Sequence, residues 1–174
     1  MGTGMRRRTL LEIGVSAVTA SAISCARGGA VSPWRFLTVA QGQTLEAVCA
    51  QLIPEDQDPG AKDAGVVNYI DLQLSTRFKR HRPVYRRGIA GIDEASRTQF
   101  GKVFAELTSE QQLIILNTTE EKDGAFFDLL LNHSRQGFYG DPRHGGNRGM
   151  TSWKMVGLPF PPVRGRQHYD TQAG

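Results

Sequence analysis

Apolar residues recur at intervals of three and four along much of the chain, which is the spacing of one face of an α-helix. The first such stretch opens with Thr38 and Gln41, a hydroxyl followed three residues later by an amide, the pattern of a helix capping box. Its apolar face is formed by Leu45, Val48, Cys49 and Leu52. Because Pro54 disfavours a helical conformation in the residue before it, we expect this helix to end at Ile53.

Four further segments show the same helical spacing. The second runs from about residue 61 to 74, the third begins at Pro83, the fourth opens with the capping box Thr108 and Gln111, and the fifth is capped by Asp123. Their inward positions are Val66, Val67, Ile70 and Leu74; Tyr85, Ile89, Ile92, Ser96 and Phe100; Leu113, Ile114, Ile115 and Leu116; and Phe126, Phe127, Leu130 and Leu131. Short connections between such helices predict an all-α protein, a small helical bundle of about five helices.

The fifth helix leads into a glycine-rich segment, residues 137–149, with two adjacent aromatic residues, an Asp-Pro turn and two arginines. Since each glycine adds backbone freedom that folding must remove, we expect a long loop here, with Gly137 as a left-handed helix stop. Apolar side chains in and after this segment favour order over disorder. The loop either packs only on its own domain or presents a preformed surface to a partner, and the pattern leaves both open. An extended Pro-rich segment from residue 157 and a polar tail, residues 161–174, follow it.

Residues 1–26 have the composition of an export signal, with basic residues, a short apolar run and then small residues. Arg7, Arg8, Leu10 and Leu11 resemble the twin-arginine consensus, which directs proteins to a pathway that carries them already folded. The alternative is an ordinary secretory signal with one additional arginine. Residues 27–35 then form a linker, and the helical domain covers residues 36–160.

Cys25 ends a sequence that resembles a lipoprotein cleavage box, although Ala22 stands where a larger aliphatic residue is usual. If this box is used, Cys25 becomes a lipidated N-terminus that contributes to membrane association. The alternative is ordinary cleavage after the small residues 20–22.

Composition limits the classes of protein that fit. With 174 residues and 39% hydrophobic content, the chain suits one globular domain with appendages. Its net charge of +4 is too small to indicate nucleic-acid binding. Two cysteines are too few for a disulfide framework, and we expect Cys49, on the apolar stripe of the first helix, to be a buried structural thiol. The basic cluster at residues 77–82 is either a solvated connection between helices or a contact for phosphate or acidic lipid headgroups.

The sequence offers little catalytic chemistry of its own. It contains no glycine-rich dinucleotide fingerprint between a strand and a helix, and no Cys-x-x-Cys-His haem site. Its four histidines lack the helical spacing of a zinc pair. His133 is expected to be partly exposed on the fifth helix, and His144 beside Asp141 and Arg143 is the best candidate for acid–base work. We therefore expect no catalytic, cofactor or metal site within this chain.

Two long stretches resemble the small-subunit family of gluconate 2-dehydrogenase, subunit 3. One runs from Leu52-Ile53-Pro54-Glu55-Asp56 through Pro59-Gly60-Ala61 and Ala64-Gly65-Val66-Val67 to Tyr69-Ile70-Asp71. The other runs from Gly137-Phe138-Tyr139-Gly140-Asp141-Pro142 to Asn147 and closes with Trp153-Lys154 and Gly157. The capping box at residues 107–111 also matches. His144 departs from the pattern, since an aromatic residue, usually Tyr, is expected there.

The resemblance implies an accessory chain of a periplasmic, membrane-associated sugar or sugar-acid dehydrogenase, an oxidoreductase acting on CH–OH groups. The implied large partner is a flavoprotein of the glucose-methanol-choline type, which carries FAD and the catalytic groups. A cytochrome c subunit with haem c is a possible third component. The resemblance further implies that the small chain carries the twin-arginine signal for both chains, so that the folded large subunit is exported with it.

Two functional hypotheses from different classes follow. In the first, the chain is the non-catalytic small subunit and binds the flavoprotein partly through residues 137–157. The residues expected at this interface are Phe138, Tyr139, Asp141, Pro142, Arg143, His144, Asn147, Arg148 and Trp153. In the second, the chain is a stand-alone exported lipoprotein whose loop binds a small polar ligand. A weaker third hypothesis is a hydrolase that uses His144 and Asp141.

Overall fold

The computed structural model describes residues 32–158, and within them all regular secondary structure is helical. The export signal, Cys25, most of the linker and the polar tail lie outside the described residues. The α-helices are α1 Val39–Leu52, α2 Val66–Ser75, α3 Arg82–Phe100, α4 Ser109–Lys122, α5 Gly124–Tyr139 and α6 Thr151–Met155. Short 3₁₀ helices lie at Lys79–His81, Phe104–Glu106, Pro142–His144 and Arg148–Met150. The all-α prediction is confirmed, with a short sixth helix that the apolar pattern did not indicate.

The helix starts follow the predicted local chemistry. Thr38 and Thr108 each accept the backbone N–H three residues on, and the glutamines at those positions accept the N–H of the threonines, so both capping boxes are present. Asp123 caps α5 by accepting the N–H of Phe126. Pro83 lies in the first turn of α3, where its missing N–H costs no helical hydrogen bond.

Two predicted boundaries are wrong. The second helix begins at Val66, because residues 61–65 form turns and Gly65 adopts a left-handed conformation with φ 65°. The fifth helix does not stop at Gly137 but continues to Tyr139, and Gly140 ends it with extended rather than left-handed angles. Three residues of the predicted loop therefore belong to α5.

The core lies where α5 packs against α2 and α4 and where α1 packs against α2, α3 and α4. Its largest fully buried side chains are Tyr85, Phe104, Phe126, Phe138, Leu45, Ile70, Leu74, Ile92, Ile115 and Leu130. Of the four residues predicted to face inward on α4, Ile115 and Leu116 are buried. Leu113 and Ile114 are about half exposed, so for these two the prediction is wrong. Among residues 32–158, no helix has the length and hydropathy that a membrane span requires.

The N-terminal entry to the domain is fixed by a buried carboxylate on α2. Asp71 accepts the backbone N–H groups of Arg35, Phe36 and Leu37 at 2.7, 2.9 and 3.0 Å. Three such bonds satisfy both oxygens of a carboxylate that is only 4% exposed. The segment before α1 is therefore attached to α2 rather than left loose.

Candidate functional site

The two stretches that carry the family resemblance meet in the structure. Residues 138–158, the end of α5 and the segment that follows it, pack on α2 and on the residues just before it, and we call them the cap. Arg148 donates its backbone N–H to the carbonyl of Ala64 at 3.0 Å, and Gln73 donates its side-chain N–H to the carbonyl of His144 at 3.3 Å. The two sequence motifs are therefore two halves of one structural unit.

Close helix packing explains the glycine at position 137. A Cβ on Gly137 would lie 3.1 Å from the Cβ and Cδ1 atoms of Tyr69 on α2, which is tighter than an ordinary contact. The Tyr69 hydroxyl donates to the side-chain oxygen of Gln136 at 2.8 Å, which holds the ring against α5. Burial raises the pKa of Tyr69, partly opposed by the nearby Arg77. Gly137 thus brings α2 and α5 together.

Asn147 holds the cap in shape from the inside. It is fully buried and adopts a left-handed conformation with φ 43°, which asparagine tolerates better than most residues. Its side chain donates to the carbonyl of Gly140 and accepts the N–H of Ser152, both at 2.9 Å. Its own N–H binds the carbonyl of Gly137 at 2.8 Å. One residue therefore connects the end of α5, the cap and α6.

The remaining predicted interface residues divide into inward and outward groups. Phe138 lies in the core and Trp153 is 9% exposed, with its indole N–H donating to the carbonyl of Tyr139 at 2.9 Å. Together with Asn147, these side chains build the cap rather than its outer face. The outward side chains are Tyr139, Arg143 and Arg148, while Pro142 and His144 are partly exposed.

Apolar side chains also face outward at this end of the molecule. Tyr139, Val156 and Leu158 are 51%, 53% and 47% exposed. Leu158 is joined to the cap through its N–H, which binds the carbonyl of Trp153 at 2.7 Å. Val156 and Leu158 were not among the predicted interface residues, because neither shows a pattern that distinguishes it from a core position.

Asp141 organises Arg143 rather than preparing a catalytic histidine. Its carboxylate accepts the backbone N–H of Arg143 at 2.9 Å and the guanidinium Nε and Nη2 at 3.0 and 2.7 Å. The backbone N–H of His144 binds the carbonyl of Asp141 at 2.9 Å. These contacts fix the direction in which a cationic, partly exposed side chain leaves the cap.

Arg148 lies over the start of α2. Its guanidinium would be 3.1 Å from a Cβ placed on Gly65, so the glycine leaves room for it. Arg148 also lines a cavity of about 170 Å³, together with Glu46, Lys62 and Asn68. Arg148, which belongs to the second motif, is therefore positioned by residues of the first motif, Ala64 and Gly65.

The other candidate groups are buried within the domain. Burial raises the pKa of the Cys49 thiol to about 12, partly opposed by the Ser134 hydroxyl at 3.6 Å, so the thiol is structural as expected. His133 is 5% exposed, which corrects the prediction of a partly exposed residue. It stacks between Phe78 and Tyr85, and its Nδ1 lies 2.9 Å from the Tyr85 hydroxyl. Within residues 32–158 no three His, Cys, Asp or Glu side chains are placed to hold a metal ion.

Comparison with known protein families gives a match that includes both motifs. Residues 39–159 match the family model described as gluconate 2-dehydrogenase subunit 3, which spans more than half of the chain. Searches of curated proteins and of solved structures gave no match. The family is that of an accessory subunit of a multi-subunit gluconate dehydrogenase. On this match, which covers all six α-helices, the chain belongs to the gluconate 2-dehydrogenase subunit 3 family.

Proposed function

We propose that this chain is the non-catalytic small subunit of a periplasmic, membrane-associated sugar or sugar-acid dehydrogenase, and that the cap binds a large flavoprotein subunit. The flavoprotein carries FAD and the catalytic groups, and a cytochrome c subunit with haem c accepts the electrons. The chain assists the folding of its partner and its export. The observation that carries this proposal is the cap itself, which belongs to the second family motif and packs against the first.

The cap has the physical properties of a binding surface. Its inner hydrogen bonds, centred on Asn147, fix the backbone before any partner arrives, so little conformational entropy is lost on binding. Its outer side chains include Tyr139, Arg143 and Arg148. Tyrosine and arginine are the residue types that most often dominate the energy of an interface.

The test is co-purification with point variants. Removing residues 137–149 would also remove Phe138 from the core, so loss of the partner after that deletion would not identify the surface. The full-length chain should instead be captured from its host with Tyr139→Ser and Val156→Ser together. Wild-type capture should yield a flavoprotein with flavin absorbance, and the double variant should lose most of it. A wild-type chain that is captured alone and colourless would refute the proposal.

The export role rests on the paired arginines and has its own test. Arg7→Lys with Arg8→Lys should leave both this chain and the flavoprotein in the cytoplasm, because both would depend on one twin-arginine signal. Arg6→Lys is the matched control, since it changes a neighbouring arginine outside the pair. Export of the flavoprotein by the double variant would show that the partner does not depend on this signal.

A second candidate function is a stand-alone exported lipoprotein that binds a small ligand, and a groove favours it. The groove encloses about 590 Å³ between α3, α4 and the start of α5, within the size range of small-molecule sites. Gly91, Ile92 and Phe126 line its apolar part, and charged residues such as Arg87 and Glu94 line it as well. This function predicts a monomer without flavin whose ligand is displaced by Gly91→Leu. Unchanged ligand binding by that variant would exclude the groove.

A further inference from the structure

A strongly basic surface covers the junction of α2 and α3. Between Asp71 and Asp93 the chain contains no acidic residue. Six cations lie in this interval, Arg77, Lys79, Arg80, Arg82, Arg86 and Arg87, which we call the basic end. The net charge of the whole chain is +4, so everything outside the basic end sums to 4 − 6 = −2. The positive charge of this protein is therefore concentrated on one short stretch.

The side chains of the basic end are mostly exposed and have no acidic partner within residues 32–158. All of them are exposed except Arg82, which is half-buried. The ion pair recorded among residues 32–158 is that of Arg143 with Asp141, at the cap. Within that range no carboxylate therefore neutralises the basic end. Unpaired cations at this density repel one another, which an anionic surface would relieve.

The N-terminal segment enters the domain beside the basic end. The guanidinium carbons of Arg82 and Arg86 each lie 5.0 Å from the centroid of the Phe36 ring. Arg82 is further held by its Nε, which donates to the carbonyl of Leu74 at 2.7 Å. Because Asp71 binds the backbone at residues 35–37, the entry point cannot move away from this surface. Phe36 follows Cys25 by eleven positions, so the chain between them spans at most about 40 Å.

We infer that the basic end docks on the anionic headgroups of a membrane surface. Six long basic side chains, none of which is paired with a carboxylate within residues 32–158, suit a diffuse negative surface better than a single defined ion pair. A membrane attachment within residues 1–31 would hold the basic end close to the lipid headgroups. One lipid chain alone binds a membrane only marginally, whereas a lipid chain with a polybasic patch anchors stably. The inference rests on the membrane association in the proposed function and assigns it to a surface of this chain.

The test is binding of the full-length chain to vesicles of phosphatidylcholine that contain phosphatidylglycerol. The test variant is Arg77→Gln, Lys79→Gln and Arg80→Gln, three exposed residues outside the hydrophobic core. Each basic group near an anionic surface contributes about fivefold to binding, so the apparent Kd should rise on the order of 100-fold. Binding of the wild type should also weaken as salt screens the surface charge.

The matched control carries Arg97→Gln, Lys102→Gln and Lys122→Gln. These residues are exposed as well and the net charge falls by the same amount, but none belongs to the basic end. The control should bind the vesicles as the wild type does. Equal loss in both triple variants would show that net charge alone matters, and no loss in the test variant would show that the basic end does not touch lipid. Either result overturns the inference.

Flavoprotein capture by the same variants separates this inference from the proposed function. The test variant should retain the flavoprotein while it loses the vesicles. Loss of the flavoprotein with unchanged vesicle binding would show that the basic end binds an acidic protein, and would overturn the inference. If the wild type captures no flavoprotein but binds vesicles through the basic end, the proposed function fails and the inference stands.

Discussion

The hydroxyl of Tyr85 on α3 lies 2.9 Å from Nδ1 of His133 on α5, and the two rings are parallel with their centroids 5.8 Å apart. Burial, and secondarily the nearby His81, lowers the pKa of His133 from 6.5 to about 4. The imidazole is therefore neutral in the folded protein at neutral pH. Two buried polar residues that are 48 positions apart in sequence thus join α3 to α5.

Acidification should destabilise the protein through this histidine. Between pH 6.5 and about 4, the unfolded chain binds a proton at His133 that the folded chain does not, so stability falls as the pH falls. This contribution is fully present above pH 6.5, and its loss should amount to at most about 3 kcal/mol. Urea unfolding across this pH range measures it. His133→Gln lowers stability overall but should flatten the slope, and an unchanged slope would assign the effect to other groups.

Two glycines on α3 should respond in opposite ways to the same substitution. A Cβ on Gly91 would meet nothing within 4 Å, so Gly91→Ala should stabilise the protein by about 1 kcal/mol through helix propensity. A Cβ on Gly88 would overlap the ring of Phe126, so Gly88→Ala should cost about 2 kcal/mol by overpacking. Denaturant unfolding of both variants tests the pair. Equal effects would mean that Phe126 does not pack on Gly88.

Removal of the Asn147 side chain should loosen the cap. Asn147→Gly permits the left-handed backbone but leaves the carbonyl of Gly140 and the N–H of Ser152 without their partner. These two polar groups, one buried and one partly buried, cost about 3 kcal/mol together when they are left unpaired. Relative to the wild type, hydrogen exchange in the variant should accelerate more in α6 than in α1. An equal change in both helices would show that the cap does not depend on this residue.

The outer face of the cap should matter more for partner binding than an equally exposed apolar pair elsewhere. Tyr139→Ser with Val156→Ser should weaken flavoprotein binding by about 30-fold or more if either residue is an interface hot spot. Leu113→Ser with Ile114→Ser on α4 is the control, since these side chains are 47% and 46% exposed. Titration of the purified flavoprotein with each variant gives the comparison. A larger loss in the α4 variant would place the interface on α4.

Local chemistry allowed much of the fold to be predicted. The capping boxes at Thr38 and Thr108 are decided by residues three positions apart, and both are present as expected. The error at Gly137 has a tertiary cause, because what requires the glycine is the ring of Tyr69, 68 positions earlier, and not a change of backbone direction. The glycine correctly indicated a position where a side chain is not tolerated, but sequence alone does not show whether the reason is close packing or a turn.

In the candidate site, too, local features were predicted from the sequence and tertiary contacts were not. The motifs at residues 52–71 and 137–157 were identified from sequence, but their contact through Arg148 and Ala64 depends on the packing of α2 with α5. The inward direction of Asn147 was not predictable either, since an asparagine in a glycine-rich segment usually indicates an exposed turn. The placement of His133 required its partners Phe78 and Tyr85, which lie on other elements.

The bonds of Asp71 also decide how the fold bears mechanical force. A pull on the N-terminus meets the backbone at residues 35–37, where three hydrogen bonds to one carboxylate resist it together. The load then passes sideways into α2, and α1, although next in sequence, is shielded until those bonds break. Any machinery that draws the chain by its N-terminus therefore pulls first on α2, the helix that also supports the cap.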